Sequence, residues 1–377
     1  MTMQTAPSRP TDASATQPGA QHADASPPPR AAHRVAVIGG DGIGPEVVAE
    51  ALKVVRAAGV ELETTEYDLG ASRYRRTGET LPDSVLEELR GYDAILLGAV
   101  GFPGVPDHIS LWGLLIPIRR EFDQYVNLRP VRLLPGITPP VRHDRIDFWV
   151  VRENTEGEYS QIGGRFKAGT EDEFVVQEAV FTRKGTDRIL RYAFDLARRL
   201  GRPHVTSATK SNGIFHSMPF WDERVAAVAR AYPDVRVDQY HIDILAARFV
   251  MSPERFDVVV GSNLFGDILS DLGPGVTGTI AVAPSANINP ERVFPSMFEP
   301  VHGSAPDIAG QGIANPIGQI WAGAMMLEHL GEAEAARAVM AAIESTLAAP
   351  DAPLTPDLGG QGTTSLLGGR IAAAVAR

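Results

Sequence analysis

Two aspartates four residues apart are the first candidates for chemistry in this sequence. Asp267 and Asp271 lie in the segment 263–271 (Asn-Leu-Phe-Gly-Asp-Ile-Leu-Ser-Asp), which has a helical pattern. Side chains at positions i and i+4 share one helix face, where two like charges cost about 0.3 kcal/mol. A hard divalent cation such as Mg²⁺ or Mn²⁺ would reverse that cost. An isolated pair of this kind is more often a solvated acidic turn, but its position directly after an apolar strand favours a ligand site.

Three arginines form a second cluster, one suited to carboxylate recognition. Arg119 and Arg129 lie ten residues apart, and Arg152 opens the motif Arg-Glu-Asn-Thr-Glu-Gly at 152–157. Arginine can hold a carboxylate through two parallel N–H···O bonds, so several converging arginines suit a di-acid substrate. Taken alone, Arg119 and its neighbour Arg120 are more often ordinary charges on a helix surface.

Lys210 is a candidate for proton transfer, and Tyr159 closes the motif that Arg152 opens. Lys210 follows an apolar strand, and burial at a strand end can lower the pKa of a lysine into the range useful for acid–base catalysis. Both residues have a plainer interpretation. Tyr159 is then only a partly buried hydrogen-bonding residue, and Lys210 is a lysine in an exposed loop.

A loop of small residues near the C-terminus predicts a nucleotide site. The motif at 298–310 (Phe-Glu-Pro-Val-His-Gly-Ser-Ala-Pro-Asp-Ile-Ala-Gly) combines His302 with residues that permit close backbone approach. Asp307 can accept hydrogen bonds from ribose hydroxyls and would repel a 2′-phosphate, which favours NAD over NADP. The earlier turn at 40–44 has the spacing G-x-G-x-G, not G-x-G-x-x-G, so it indicates a tight turn at an active-site mouth and not a Rossmann fold.

Composition excludes several classes of protein. The 377 residues include no cysteine, which removes disulfides, thiolate catalysis and thiolate metal sites. The net charge of −11 argues against a nucleic-acid partner, and the lack of a long apolar run argues against a membrane partner. Residues 1–32 hold six prolines and no Val, Ile, Leu, Phe, Tyr or Trp, which predicts a disordered tail without a secretory signal. The expected compartment is the cytoplasm.

Strands and helices alternate in the elements that must position these residues. Apolar runs predict strands at 33–40, 61–67, 92–98, 146–151, 174–182, 203–208, 235–241 and 256–261. Helical patterns occur at 46–58, 82–89, 186–200, 243–250, 317–330 and 334–347. This alternation predicts an α/β architecture, with a polar hairpin or arm in the glycine-rich stretch 157–169.

These motifs, in this order, resemble those of the metal-dependent β-decarboxylating dehydrogenases, the isocitrate/isopropylmalate dehydrogenase family. The most specific are 263–275 (Asn-Leu-Phe-Gly-Asp-Ile-Leu-Ser-Asp-Leu-Gly-Pro-Gly) and 299–307 (Glu-Pro-Val-His-Gly-Ser-Ala-Pro-Asp). The resemblance extends from His33 to the C-terminus. It implies a two-domain α/β fold with a central mixed sheet flanked by helices. Residues 33–124 and 277–377 would form a large nucleotide-binding domain, and residues 125–276 a small domain with a dimerisation arm.

The resemblance also implies a role for each candidate residue. Asp243, Asp267 and Asp271 would hold Mg²⁺ or Mn²⁺, Arg119, Arg129 and Arg152 would clamp a small dicarboxylate, and Tyr159 and Lys210 would form the acid–base pair. NAD would bind His302, Gly303, Ser304, Ala305, Asp307 and Asn315. The protein would be a homodimer with shared active sites, in which Asp243 and Lys210 reach in from the partner subunit.

The segment before Arg119 bears on the substrate. Isocitrate enzymes carry a serine and an asparagine where this chain has Gly113 and Leu115, so a contact to the extra carboxylate is missing. Isopropylmalate enzymes carry an acid where this chain has Trp112, whose indole is expected to fill the space of a γ-substituent. Pro117 departs from the family pattern and is expected to kink the helix.

The pattern around the clamp looks most like that of the tartrate and D-malate members of the family. It predicts NAD-dependent oxidation, with decarboxylation, of a C4 2-hydroxy diacid. A 3-isopropylmalate dehydrogenase is the alternative. A catalytically inactive regulatory subunit is a third possibility, against which the intact candidate residues argue.

Overall fold

The elements of the fold are those of a computed structural model that describes residues 32–376. The strands are β1 His33–Gly40, β2 Leu62–Glu66, β3 Ala94–Ala99, β4 Val126–Arg132, β5 Asp147–Glu153, β6 Gly163–Phe166, β7 Phe174–Gln177, β8 His204–Thr209, β9 Arg236–His241, β10 Val258–Gly261, β11 Pro284–Ile288 and β12 Ser296–Pro300. The helices are α1 Gly44–Ala57, α2 Ala71–Thr77, α3 Asp83–Leu89, α4 Asp107–Ser110, α5 Ile116–Glu121, α6 Arg183–Arg199, α7 Ser217–Ala229, α8 Ile242–Met251, α9 Asn263–Thr277, α10 Ile317–Leu330, α11 Ala333–Ala348 and α12 Thr364–Val375. The tail predicted for 1–32 lies, apart from Ala32, outside the described residues.

A ten-stranded mixed sheet organises the molecule. Its order is β2-β1-β3-β12-β11-β4-β5-β10-β8-β9, and the pairs β12–β11, β11–β4 and β4–β5 are antiparallel. Along β1 the buried side chains alternate between two separate apolar clusters: Val35 and Val37 join one, Ala36 and Ile38 the other. Alternate side chains of a strand point to opposite faces, so both faces of this sheet are covered. The predicted α/β fold with a mixed sheet flanked by helices is confirmed.

The chain contributes the two halves of the sheet from different segments. The half β2-β1-β3-β12-β11 comes from residues before 100 and after 283, and the half β4-β5-β10-β8-β9 comes from 126–261. Hydrogen bonds between β11 and β4 make the sheet continuous across the predicted boundary. The division into a large and a small domain therefore stays a prediction.

A separate two-stranded hairpin projects from the middle of the chain. Strands β6 and β7 pair antiparallel, as predicted for an arm, although the second strand ends at Gln177 and not at residue 182. Its rings Phe166 and Phe174 stack with centroids 4.8 Å apart while both remain about half exposed.

Within residues 32–376, no helix has the length and apolarity needed to cross a membrane.

Pro117 lies where a widened turn meets a regular helix. A π-helical turn at Leu111–Leu115 precedes α5, and Pro117 falls in the first turn of α5, where a missing N–H is tolerated. Proline cannot donate to the carbonyl of Gly113, four residues earlier; that oxygen instead accepts a hydrogen bond of 2.6 Å from the Thr80 hydroxyl. The helix thus widens into a π turn just before Pro117, and the Thr80 side chain binds a carbonyl of this turn. The expected kink stays a prediction.

Replacing Thr80 by valine should destabilise the protein by about 1 kcal/mol, because the Gly113 carbonyl loses one hydrogen bond in a part-buried place. Urea unfolding at equilibrium measures this loss. Thr170→Val is the matched control: its hydroxyl also donates to a backbone carbonyl, that of Lys167, but in an exposed turn where water replaces it. Equal stability of the two variants would contradict a structural role for Thr80.

Candidate active site

A cavity of about 250 Å³ gathers most of the residues singled out by the sequence. Its charged lining consists of Arg119, Arg120, Arg129, Arg152, Asp267, Asp271 and Glu299. Tyr159, Leu111, Leu115, His302 and Gly303 also border it. The cavity therefore places four guanidinium groups and three carboxylates beside the first residues of the predicted nucleotide loop.

Each of the three predicted clamp arginines is buried and paired with a carboxylate. Arg119 donates to Glu299 at 2.9 Å, Arg129 donates to Asp271 at 2.8 Å, and Arg152 donates to Asp267. Arg152 also holds the side-chain oxygen of Asn263 through two of its nitrogens, at 3.1 and 2.7 Å. Burial lowers the pKa of Arg152 to about 10, so the group is still charged at neutral pH. Buried charges of this kind persist because they are paired and hydrogen-bonded.

Helix α9 can present its aspartates to these arginines because it lies directly on β5. The closest point is Gly266, where a Cβ atom would come within 2.5 Å of the Arg152 Cβ. Any larger residue would push the helix, and Asp267 with it, away from the strand. The Ser262 hydroxyl caps the helix start, and the helix continues through Pro274 to Thr277.

Asp267 and Asp271 differ in protonation tendency although they lie one turn apart. For Asp267, burial acts to raise the pKa, but attraction to Arg152 and Arg129 outweighs it and the pKa lies below its ordinary value. For Asp271, burial raises the pKa, and the neighbouring Asp267 charge adds to the rise against Arg129. The pair thus shows the like-charge repulsion expected at this spacing.

A network of buried amide side chains contacts Arg119 through Glu299. Glu299 accepts hydrogen bonds from both Arg119 and Asn287, the latter at 2.7 Å. The Asn287 oxygen in turn accepts from Asn127 at 2.9 Å and Asn154 at 3.0 Å. These side chains lie on or beside β4, β5, β11 and β12, so the network spans the antiparallel centre of the sheet.

Tyr159 contacts the same carboxylate as Arg152, that of Asp267. Its hydroxyl donates to Asp267 at 2.7 Å, and its ring lies 5.4 Å from the Arg152 guanidinium carbon. Burial, together with the hydrogen bond to Asp267, raises the pKa of Tyr159 to about 12. The phenol therefore keeps its proton at neutral pH.

Lys210 and Asp243 lie apart from the cavity. They pair with each other at 2.9 Å, with side chains 30% and 68% exposed. Within residues 32–376, no cluster of three His, Cys, Asp or Glu side chains could hold a metal ion. Within one chain, therefore, Asp243 lies outside the cavity that contains Asp267 and Asp271.

The segment 298–310, predicted to bind a nucleotide, borders the cavity through residues 299–303. The Nδ1 atom of His302 lies 2.9 Å from the Gly303 carbonyl, and its buried Nε2 has no hydrogen-bond partner among the described residues. Burial lowers the pKa of His302, so the ring is neutral at pH 7. Asp307 is exposed, and Asn315 donates to Asp357 at 2.9 Å, away from the cavity. The Ser304 carbonyl accepts from the Ile43 N–H at 2.9 Å, which ties the loop to the turn at 40–44.

The position of Trp112 corrects the steric expectation from the sequence. Leu111 and Leu115 line the cavity, whereas Trp112 does not and packs against Arg120 at 5.2 Å. Trp112 therefore does not fill the cavity, because the π turn directs Leu111 and Leu115 there instead. Sequence reasoning assigned no site role to Glu299 or Asn287 and treated Arg120 as a surface charge. The available signal for Glu299 was its place at the start of the motif 299–307.

The loop that carries Tyr159 begins at a buried acid, Glu153. Its carboxylate accepts from the backbone N–H groups of Thr155 and Glu156, at 3.0 and 2.8 Å. Burial raises the pKa of Glu153 to about 7, against the lowering effect of these hydrogen bonds.

Several known proteins resemble this chain in sequence and in fold. The family model described as isocitrate/isopropylmalate dehydrogenase matches residues 34–371. The chain is 60% identical to a D-malate dehydrogenase (decarboxylating) of Escherichia coli, across 88% of this chain and 95% of that one. It is 56% identical to a tartrate dehydrogenase/decarboxylase of Pseudomonas putida (93% and 99%) and to a 3-isopropylmalate dehydrogenase of Frankia casuarinae (84% and 92%). The crystal structure of isocitrate dehydrogenase from Methylococcus capsulatus superposes with a TM-score of 0.85 at 38% identity, across 92% of this chain and all of that one.

Fold and family together define an oxidoreductase, with three buried arginines in its candidate site. The chain belongs to the isocitrate/isopropylmalate dehydrogenase family, as the sequence motifs predicted. It resembles the decarboxylating D-malate and tartrate enzymes over most of its length.

Glu153→Gln should change how stability depends on pH. A carboxyl whose pKa rises from 4.5 to about 7 on folding stabilises the native state below pH 4.5, and that contribution is lost as pH rises to 7. The wild type should therefore lose stability relative to Glu153→Gln across this window, by at most about 3 kcal/mol. Unfolding free energies at several pH values measure the difference. For the control Glu173→Gln the trend should be reversed, because an exposed hydrogen bond with Arg165 lowers that pKa. A pH-independent difference for Glu153→Gln would contradict the buried-acid account.

Proposed function

We propose that the protein catalyses NAD- and divalent-metal-dependent oxidation, with decarboxylation, of a C4 2-hydroxy diacid, D-malate or tartrate, in the cytoplasm. The observation that carries the proposal is the set of three buried arginines facing two aspartates in one small cavity. The similarity to enzymes named for these substrates supports the same choice.

A di-acid suits the cavity because the arginines already bind carboxylates. Arg119, Arg129 and Arg152 hold Glu299, Asp271 and Asp267 in the described structure. A substrate with two carboxylates can take over contacts that the aspartates now make. The apolar wall of Leu111 and Leu115 offers no polar partner for a third carboxylate.

The aspartate pair fits a hard divalent cation, such as Mg²⁺ or Mn²⁺, in donor type and spacing. Asp267 and Asp271 would be two ligands, and Asp243 of the partner subunit would be the third. When bound, the cation would polarise the C2 oxygen and stabilise negative charge there. The separation of Asp243 from the pair within one chain is what a shared site requires.

The proton transfers fall to two residues in this proposal. Lys210, also from the partner subunit, would take the proton of the C2 hydroxyl, and NAD, when bound, would supply the hydride acceptor for C2. Loss of CO₂ from the resulting β-keto acid leaves an electron pair at C3, and Tyr159 would protonate that carbon. The raised pKa of Tyr159 keeps the required proton on the phenol.

The residues near the cavity also fit NAD. The unpartnered Nε2 of buried His302 offers a hydrogen bond to a ligand, and Gly303, Ser304 and Ala305 allow close approach. Asp307 is exposed and free to meet ribose hydroxyls, and its charge would disfavour a 2′-phosphate. Asn315 would need to release Asp357 or contact the nucleotide through its backbone.

Exposed apolar side chains support a homodimer. Ile244 and Met251 on α8 and Ile268 on α9 are 45%, 69% and 48% exposed. A two-fold interface would cover this face on both subunits and bring α8, which carries Asp243, to the partner's α9. The exposed hairpin β6–β7 is a second surface suited to such pairing.

A second candidate substrate is 3-isopropylmalate. The apolar wall formed by Leu111 and Leu115 can accommodate an alkyl group, and one relative at 56% identity carries that enzyme name. Rate measurements separate the two candidates.

The substrate prediction is tested by NADH formation with Mn²⁺ and single stereoisomers of malate, tartrate and 3-isopropylmalate. D-malate or one tartrate isomer should give the highest kcat/KM, by about tenfold or more over 3-isopropylmalate. The same panel with NADP should be slower because of Asp307. The proposal fails if 3-isopropylmalate is preferred by that margin.

Shared sites are tested by mixing two inactive variants, Lys210→Met and Asp271→Asn. After unfolding and refolding together, half of the dimers should be mixed, and one site in each mixed dimer should contain neither lesion. Activity should return to about one quarter of the wild-type value. A mixture of Lys210→Met with Asp243→Asn is the control: both lesions come from the same side of the site, so activity should stay absent. No recovery in the first mixture, with mixed dimers demonstrated, would place each site within one chain.

A further inference from the structure

Arg120 differs from the other three arginines of the cavity. Its side chain is exposed, and within residues 32–376 its guanidinium pairs with no carboxylate. It donates instead to the backbone carbonyl of Tyr159 at 2.7 Å. The charge that the sequence suggested as an ordinary helix-surface arginine thus contacts the residue proposed as the proton donor.

The indole ring of Trp112 packs against the guanidinium group of Arg120. The guanidinium carbon lies 5.2 Å from the centre of the indole ring, within the range of a cation–π contact. Such a contact fixes the position of the cation without using its N–H groups, so they remain available to the Tyr159 carbonyl. The π turn at Leu111–Leu115 sets Trp112 under Arg120 while Leu115 lines the cavity.

Tyr159 is therefore held at three points. Asp267 accepts from its hydroxyl, Arg152 lies beside its ring, and Arg120 binds its carbonyl. Under the function proposed above, Asp267 and Arg152 also serve the metal and the substrate. The Arg120 contact alone acts on the backbone of Tyr159 and is independent of those ligands.

We propose that Arg120 is a positioning residue that fixes the loop carrying Tyr159, and that Trp112 is its support. The inference rests on the proposed role of Tyr159 as proton donor. Residue 112 then influences the reaction through Arg120 and not by filling the cavity. An acid at this position would pair with Arg120 and draw it away from the Tyr159 carbonyl, whereas an aromatic ring leaves it in place.

The first test is hydrogen exchange of the peptide 154–162, measured by mass spectrometry on the protein without metal or substrate. Arg120→Ala should raise exchange in this peptide, and Trp112→Glu should do the same. Trp112→Phe keeps a ring and should resemble the wild type. Arg199→Ala is the matched control, because Arg199 is also an exposed arginine stacked on an aromatic ring, Tyr192, and is absent from the cavity lining.

The second test is product partition with D-malate. Tyr159 acts after hydride transfer, so Arg120→Ala should lower kcat about tenfold and release a larger share of the keto acid before decarboxylation, with little change in KM. Arg120→Lys keeps a cation and a donor and should restore part of the loss.

Unchanged exchange and unchanged partition in Arg120→Ala would overturn the inference. A raised KM with unchanged kcat would also overturn it, because Arg120 would then be a substrate-binding residue. Wild-type protein that oxidises no C4 diacid would defeat the proposed function instead, and hydrogen exchange would still decide whether Arg120 and Trp112 hold the loop.

Discussion

Mutual compensation between buried arginines and carboxylates is the constraint on which the rest of the structure depends. Four arginines and three carboxylates line one small cavity, which leaves a single positive charge in excess. The three buried arginines pair one to one with the carboxylates, and the exposed Arg120 carries the excess charge. A buried arginine left without its carboxylate would be strongly destabilising. A divalent cation alone would add two positive charges and a dicarboxylate alone two negative ones, whereas the two together restore the original balance. Under the proposed function, metal and substrate would together replace the charges that the side chains of the site now supply to one another.

Close contacts between elements of the fold hold these charged side chains in place. Gly266 lets α9 lie against Arg152, and the amide network around Asn287 fixes Glu299 and, through it, Arg119. The central antiparallel strands bring together residues that are 100 to 180 positions apart in the chain. The spacing of Asp267 and Asp271 is local in the chain. The site also needs arginines from distant segments, which the central strands bring next to these aspartates.

The sequence predicted the parts of the site that are local in the chain. The i,i+4 aspartates, the helix α10 and the strand β1 follow from periodicity and appear as expected. Strands β11 and β12 escaped prediction because Asn287 and the serine and proline of each strand obscure the apolar pattern. Ser285, Asn287 and Glu299 of these strands belong to the buried network. Trp112 was misassigned because a π turn shifts which side chains of the helix face the cavity. No periodicity rule could have supplied the contact between Arg120 and the Tyr159 carbonyl.

The most direct test of charge exchange is Mn²⁺ binding by calorimetry in the absence and presence of saturating D-malate, without NAD. The account holds that the positive charge of Mn²⁺ and the negative charge of the di-acid compensate each other in the site. Mn²⁺ should therefore bind about tenfold or more tightly with the di-acid present, and the affinity for D-malate should rise by the same factor when Mn²⁺ is present. Asp271→Asn should weaken Mn²⁺ binding and reduce this coupling. Equal Mn²⁺ affinity with and without the di-acid would contradict the account.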